Sequence, residues 1–173
     1  NEAGAPRLAA FDAAADLEMS TTRTRHVTTT YVGHSAGGSL LGTAERLDLG
    51  LNATNIVYVA PAGTGHEVSS PEDTANEFAH RFLIQTNDDP IEVAQLVGGG
   101  AHGGSFLEGS DPVRQMGAVR LESGLLADGS IMTGHSDYFE HGSTSARNIQ
   151  GVVYGEDVHP YLRPEVTVYP GSS

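Results

Sequence analysis

One serine of this chain lies in a glycine-flanked pattern that is typical of catalytic nucleophiles. Ser35 lies at the centre of Gly33-His34-Ser35-Ala36-Gly37, which fits the G-x-S-x-G pattern of a nucleophile elbow. An apolar run precedes the pentapeptide and a helix-prone run follows it, so a sharp turn from strand to helix is predicted there. Such a turn presents a serine hydroxyl as a nucleophile. The plainer alternative is a serine in an ordinary glycine-rich turn of an α/β protein.

The residues beside the serine would serve the same chemistry. A strained turn leaves little room for side chains, so Gly33 and Gly37 are both expected to be steric requirements. The helix that follows begins with unpaired backbone N–H groups, which favour negative charge. The N–H of Ala36 is therefore the expected oxyanion-hole donor for a tetrahedral intermediate.

A serine hydroxyl is a weak nucleophile, so acyl transfer needs a histidine to take its proton and a carboxylate to orient that histidine. On an α/β-hydrolase fold they follow the serine in the order acid, then histidine, each after a later strand. Asp89 follows the third predicted strand and His135 follows the fourth. These two residues are the predicted acid and base.

Each of these assignments has a competitor. Asp89 precedes a proline at a predicted helix start and could be only an N-cap, in which case Asp88 would be the acid. Among the other histidines, His34 is expected to pack beside the serine rather than to act. His102 lies in a Gly-Gly context that resembles lipase oxyanion loops, but such loops precede the nucleophile in the chain and His102 follows it. We therefore interpret its surroundings as a glycine loop.

Composition excludes several classes of function. The 173 residues include no cysteine, which removes disulfides, thiolate metal sites and cysteine nucleophiles. A net charge of −13 argues against binding to phosphate backbones or anionic membranes. No apolar stretch approaches the roughly 18 residues of a membrane span. The acids and histidines at 135, 137, 140 and 141 match no familiar metal-ligand spacing, so no metal is expected, and the predicted serine chemistry implies no organic cofactor.

Periodicity predicts strands that alternate with helices. Helices are predicted at 6–19, 38–47, 70–80, 90–97 and 143–155. The buried face of the first helix is expected to carry Leu8, Phe11, Ala15 and Met19. The last helix has Ile149, Val152 and Val153 on one face. Strands are predicted at 26–32, 55–60, 81–86 and 117–122, a glycine-rich loop at 98–109 and an edge strand at 166–168.

This alternation predicts an α/β fold, with an α/β-hydrolase-like parallel sheet flanked by helices. A complete hydrolase sheet has about eight strands and this chain supplies four, so it is expected to be the carboxyl-terminal half of the fold. The single domain would comprise a leading helix and loop (1–25), a catalytic core (26–155) and an irregular tail (156–173). An amino-terminal fragment or partner chain would complete the sheet and supply the second oxyanion donor.

Three segments carry a family resemblance. The elbow, the Asp89-Pro90-Ile91 segment and the segment His135-Ser136-Asp137-Tyr138, which leads to Ser-Ala-Arg-Asn-Ile, occur in this order. Together they resemble the uncharacterised DUF1023 family of α/β-hydrolases, found mainly in actinobacteria, over most of residues 26–155. The resemblance implies Ser35 as nucleophile, Asp89 as orienting acid and His135 as general base.

The function expected from the sequence is that of a serine hydrolase acting on an ester, thioester or amide carbonyl of a small-molecule or lipid-like acyl substrate. The wider superfamily includes esterases, lipases, thioesterases and peptidases, so the resemblance indicates chemistry more firmly than substrate. The alternative is a hydrolase-like scaffold without turnover that binds a partner or serves as a structural subunit.

Overall fold

Four parallel strands form the centre of the protein in this computed structural model, which describes residues 3–22, 27–86, 89, 91 and 111–162. The strands are β1 (Thr30–His34), β2 (Asn55–Val59), β3 (His80–Ile84) and β4 (Val119–Leu121), and they lie side by side in chain order. The apolar runs of β2 and β3 suit strands that are covered on both faces. The predicted parallel α/β sheet is thereby confirmed.

The described helices are α1 (Ala5–Thr22), α2 (Ala36–Glu45), α3 (Pro112–Met116) and α4 (Thr144–Tyr154), with 3-10 turns at Pro71–Asp73 and Asp137–Phe139. Helices α1 and α2 pack on one face of the sheet, where Leu41 and Ala44 contact Ile56 and Tyr58. On the other face, Val152 of α4 packs with a second apolar cluster. No helix within the described ranges is both long enough and apolar enough to cross a membrane.

Helix α1 forms where it was predicted and Leu8 packs against the core, but Phe11 does not lie on the buried face. Phe11 is 63% exposed, whereas the buried positions are Ala5, Ala9 and Asp12. The two alanines allow close approach to α2, and the Asp12 carboxylate accepts hydrogen bonds from the Tyr31 hydroxyl and a loop N–H, both at 2.7 Å. The buried side of α1 therefore includes a polar anchor, Asp12, that the apolar pattern did not predict.

The helix predicted at 70–80 is wrong beyond its first turn. Ser70 and Asp73 form a capping box at the predicted start, but the helix ends at Asp73 and β3 already begins at His80. The guanidinium of Arg81 donates to the backbone carbonyls of Asn76, Glu77 and Ala79, at 2.9, 3.3 and 3.2 Å. These carbonyls belong to the segment predicted as helix, so the side chain of Arg81, which also donates to Glu45 of α2, holds that segment in an irregular conformation.

Other boundaries move by a few residues. The predicted limits of α4 are confirmed, because the Ser143 side chain caps its start by accepting from the Ala146 N–H, and Gly155 ends the helix with a φ of 70°. Val153, predicted on the buried face of α4, is exposed. Helix α3 was not predicted at all.

Several predictions fall outside the described residues. They are the helix at 90–97 apart from Ile91, the loop at 98–109 with His102, the edge strand at 166–168, and Asp88.

The two edges of the sheet differ. At β4, Glu122 N donates to His159 O at 2.7 Å and Tyr161 N donates to Arg120 O at 2.9 Å, so the chain at 159–161 covers that edge. Within the described ranges β1 pairs with β2 alone. Its other edge is open there.

Candidate functional site

Ser35 occupies the turn between β1 and α2 in a conformation that side chains rarely adopt. Its φ is 55° and its ψ is −121°. Its N–H donates to Val59 O at 3.0 Å, and its carbonyl accepts from Gly38 N at 3.1 Å and Ala62 N at 2.9 Å. These bonds to the following helix and to the neighbouring strand and its loop hold the strained residue in place. The turn thus has the backbone form expected of a nucleophile elbow.

Only one of the two glycines that flank the turn must lack a side chain for steric reasons. A Cβ on Gly33 would lie 2.6 Å from Leu41 and 2.7 Å from the backbone oxygen of Gly37. A Cβ on Gly37 would meet nothing within 4 Å. The steric requirement predicted for Gly37 is therefore wrong, because this residue already points away from the turn. The requirement at Gly33 follows from the close approach of α2 to β1.

Asp89 and His135 are brought together although 46 positions separate them. The Nδ1 of His135 lies 2.9 Å from Oδ1 and 3.1 Å from Oδ2 of Asp89. Asp89 Oδ1 also accepts from the Ile91 N–H at 2.9 Å, so the carboxylate bonds the following turn and the histidine at once. The two interpretations of Asp89, as a cap and as an orienting acid, are compatible in this geometry.

This contact determines which nitrogen of His135 can accept a proton. A carboxylate only accepts hydrogen bonds, so Nδ1 carries the proton and the neutral ring has its lone pair on Nε2. That Nε2 is buried and has no hydrogen-bond partner among the described residues, Ser35 included. Catalytic hydrogen bonds are often long or misaligned before substrate binds. The ring is therefore in the tautomer that a general base needs.

The turn that carries His135 is held by its own neighbours. Asp137 accepts from the Gly134 N–H at 2.8 Å, and a Cβ on Gly134 would collide with that carboxylate at 2.5 Å. The Ser145 hydroxyl, at the start of α4, donates to the Tyr138 carbonyl at 2.7 Å. The histidine therefore lies on a turn fixed to the helix behind it.

Tyr138 is a site residue whose role the sequence analysis missed. Its hydroxyl is buried, donates to Asp89 Oδ2 at 2.6 Å and accepts from the Thr86 N–H at 3.1 Å. The available signal was the spacing of His135 and Tyr138, which places both side chains on one turn. Because of this contact, Asp89 is held by two side chains three positions apart.

Burial and hydrogen bonding act in opposite directions on Asp89. Burial alone would raise the pKa of its carboxyl, but hydrogen bonds from Tyr138, the Ile91 N–H and His135 outweigh burial and leave the pKa below its ordinary value. Burial, together with the bond to Asp89, raises the pKa of Tyr138 to about 12. At neutral pH the pair is therefore a charged acceptor and a neutral donor.

His34 connects the elbow with the histidine turn. Its Nε2–H donates to the backbone carbonyl of His135 at 2.8 Å, and the centres of the two rings are 4.7 Å apart. The ring of Phe139 stands edge-on to His34 at 5.6 Å and is half exposed. Ser35 directly follows His34 in the chain, so the elbow and the Asp89–His135 pair lie at the same end of the sheet.

The predicted oxyanion donor lies at the start of a helix. Ala36 is the first residue of α2, and its position is exposed.

Two clefts of about 260 and 390 Å³ lie away from the elbow, and both are lined by His80 at the amino-terminal end of β3. Within the described ranges no three acidic or histidine side chains are grouped so as to hold a metal ion.

Comparisons with family models, curated proteins and solved structures give no match to this chain.

Proposed function

We propose that the protein is a serine hydrolase that attacks an ester-like carbonyl through Ser35. The observation that carries the proposal is His135, which is bonded through Nδ1 to a buried carboxylate and keeps Nε2 without a partner among the described residues. The strained turn of Ser35 is a second, independent support, because its backbone conformation is costly and serves no capping bond. Strain of this kind is found at sites where a side chain must be presented.

The proposed reaction has two halves. Ser35 Oγ bonds to the carbonyl carbon and its proton passes to His135 Nε2, while the negative oxygen of the tetrahedral intermediate is stabilised by the Ala36 N–H. The intermediate collapses as His135 returns the proton to the leaving group. Water then attacks the acyl-serine with His135 again as base, which releases the acid and restores the hydroxyl. Asp89 stays ionised and holds the imidazole.

A fluorophosphonate probe tests the proposal directly, because it phosphonylates an activated serine. We expect the protein to be labelled and Ser35→Ala to be unlabelled. The matched control is Ser136→Ala, since Ser136 is exposed and adjacent to His135 but makes no capping bond. Folded protein that takes up no probe, or labelling that persists in Ser35→Ala, contradicts the proposal.

The proposal includes the DUF1023-type assignment of residues, because the three segments that carry the resemblance include Ser35, Asp89 and His135. The substrate class we propose is a small-molecule or lipid-like acyl compound. Such a substrate suits the half-exposed ring of Phe139, which lies against His34 beside the nucleophile.

We also propose that a further piece of chain pairs with β1, as in a hydrolase sheet of which this chain is the carboxyl-terminal half. The support is the difference between the two edges, since the edge at β4 is covered and the described part of the chain leaves β1 with one neighbour. A second oxyanion donor would come from that piece.

The open edge also favours the second candidate, a hydrolase-like scaffold that binds a partner without turnover. Absence of probe uptake by the folded protein would select the scaffold over the enzyme. Uptake that depends on Ser35 would select the enzyme.

A further inference from the structure

Two imidazoles meet at the site, and the proposed reaction uses only one of them. His34 comes from the end of β1 and His135 from the turn after β4, yet the Nε2 of His34 is 2.8 Å from the His135 carbonyl oxygen. A carbonyl oxygen only accepts, so His34 must carry its proton on Nε2. This bond joins the residue before the proposed nucleophile directly to the backbone of the proposed base.

The other described bonds of His135 and its turn involve different residues. Asp89 holds the ring through Nδ1, and Asp137 holds the turn through the Gly134 N–H. Neither of these contacts involves the elbow. His34 supplies a link between the turn and the elbow, through its hydrogen bond and through ring contact at 4.7 Å.

We propose that His34 is a positioning residue that sets the His135 imidazole relative to Ser35. The inference rests on the proposed function, because it assigns the spatial relation between nucleophile and base to a third side chain. The distance between those two groups governs proton transfer, and small displacements of reacting groups lower rates steeply. The donor on His34 therefore acts on the rate through His135 and takes no part in the proton transfer.

The test compares two amides at position 34. In His34→Gln the side-chain N–H can occupy the place of Nε2, whereas in His34→Asn it ends one bond nearer the backbone and falls short of the carbonyl. His80→Gln is the matched control, because His80 is exposed at the other end of the sheet. Two quantities are measured: the rate constant of fluorophosphonate labelling, and the downfield NMR resonance of the His135 Nδ1 proton held by Asp89.

We expect His34→Gln and the control to keep the labelling rate constant and the line width of the resonance within about twofold of the values for the unchanged protein. His34→Asn should lower the labelling rate constant about tenfold, the effect of losing one positioned hydrogen bond, and should broaden the resonance as solvent exchange quickens. The inference is overturned if His34→Asn has the same labelling rate constant and resonance as the unchanged protein. It is also overturned if His34→Gln lowers the labelling rate constant as much as His34→Asn does.

The two measurements, probe labelling and the NMR resonance, distinguish failure of this inference from failure of the proposed function. A protein that is never labelled, but whose resonance is broadened in His34→Asn alone, would retain the positioning role and lose the hydrolase. Should His34→Asn fail to fold, His34→Leu takes its place. If both fail to fold while His34→Gln folds, the positioning role is overturned, because the bond would then serve the fold itself.

Discussion

Asp89 receives hydrogen bonds from two side chains of a single turn, and Tyr138 gives the shorter one. Tyr138→Phe removes a donor to a buried carboxylate and leaves the Thr86 N–H without its acceptor. Because hydrogen bonds to charged groups are the stronger class, we expect the free energy of unfolding to fall by about 1.5–3 kcal/mol. Urea unfolding measures it. Tyr154→Phe, at an exposed tyrosine, should change stability little.

The pH dependence of this difference follows from the raised pKa of Tyr138. The unfolded chain ionises a tyrosine at about pH 10, whereas the folded protein ionises Tyr138 at about 12. The stability that the neutral phenol contributes is therefore complete below pH 10 and is lost as the pH rises to 12. We expect the gap in unfolding free energy between the unchanged protein and Tyr138→Phe to shrink over that interval. A gap that is constant up to pH 12 would contradict the assignment.

The acid can be tested apart from stability. In Asp89→Asn the amide can donate to the histidine, which favours the tautomer with its proton on Nε2 and removes the base. By analogy with serine hydrolases of known mechanism, we expect fluorophosphonate labelling to slow about 10³- to 10⁴-fold. Asp128→Asn, at an exposed loop carboxylate, is the control and should label normally. Equal labelling of both variants would remove Asp89 from the proposed mechanism.

The candidate site was predictable as far as its residues belong to patterns. The G-x-S-x-G turn marks Ser35, and the order of elements marks Asp89 and His135. The roles of Tyr138 and His34 were not predictable in this way, because each depends on a contact between segments far apart in the chain. The tyrosine reaches across 49 positions to Asp89, and the histidine reaches across 101 to the His135 carbonyl.

At the scale of elements, the elbow offers a comparison between two glycines. Gly33→Ala would force a Cβ against Leu41 and the Gly37 carbonyl, and overpacking of this kind costs about 1–3 kcal/mol. Gly37→Ala meets no atom within 4 Å and replaces a helical glycine, so we expect it to leave stability unchanged or to raise it by up to about 1 kcal/mol. Thermal unfolding of both variants measures this. Equal destabilisation would show that the turn is packed differently.

Apart from α3, the elements with clear signals in their own residues were predicted, whereas the segment at 70–80, whose conformation depends on a side chain of the next strand, was not. Strand β2 is an apolar run, as expected of a strand buried inside the sheet. Helix α4 has a capping residue at each end, Ser143 at its start and Gly155 at its end. The segment after Ser70 has an equally good start signal, but the guanidinium of Arg81 engages its carbonyls and the helix stops after one turn. Local signals decide only where tertiary contacts agree with them.

Helix α3 shows a signal that was present and overlooked. Asp111 accepts from the Val113 N–H at 2.9 Å, a proline follows the cap, and Gly117 ends the helix with a φ of 62°. The capping side chain and the terminal glycine are the same kinds of signal that mark the two ends of α4, and the proline is a further start signal. Because Gly117 is in the left-handed conformation, β4 begins two residues later than predicted.

For the whole molecule, the central question is what covers β1. The edge at β4 is occupied by the chain at 159–161, so that strand has neighbours on both sides. Directly before and after β1, the Thr29 carbonyl and the Ser35 N–H face β2. By the alternation of a strand, the backbone groups of Val32 face the other way. Unpaired groups on an edge strand pair readily with another chain.

We therefore expect the chain, when prepared by itself at physiological salt, to form particles heavier than its own 18.1 kDa. Native mass spectrometry measures them. Val32→Lys places a charge on the edge, which blocks pairing, and should return the mass to that of one chain. Val119→Lys changes another exposed valine, on β4 next to the covered edge, and should leave the heavier particles intact. A single-chain mass for the unchanged protein would contradict the pairing role of β1, because an edge that needs no cover would not require a further piece of sheet.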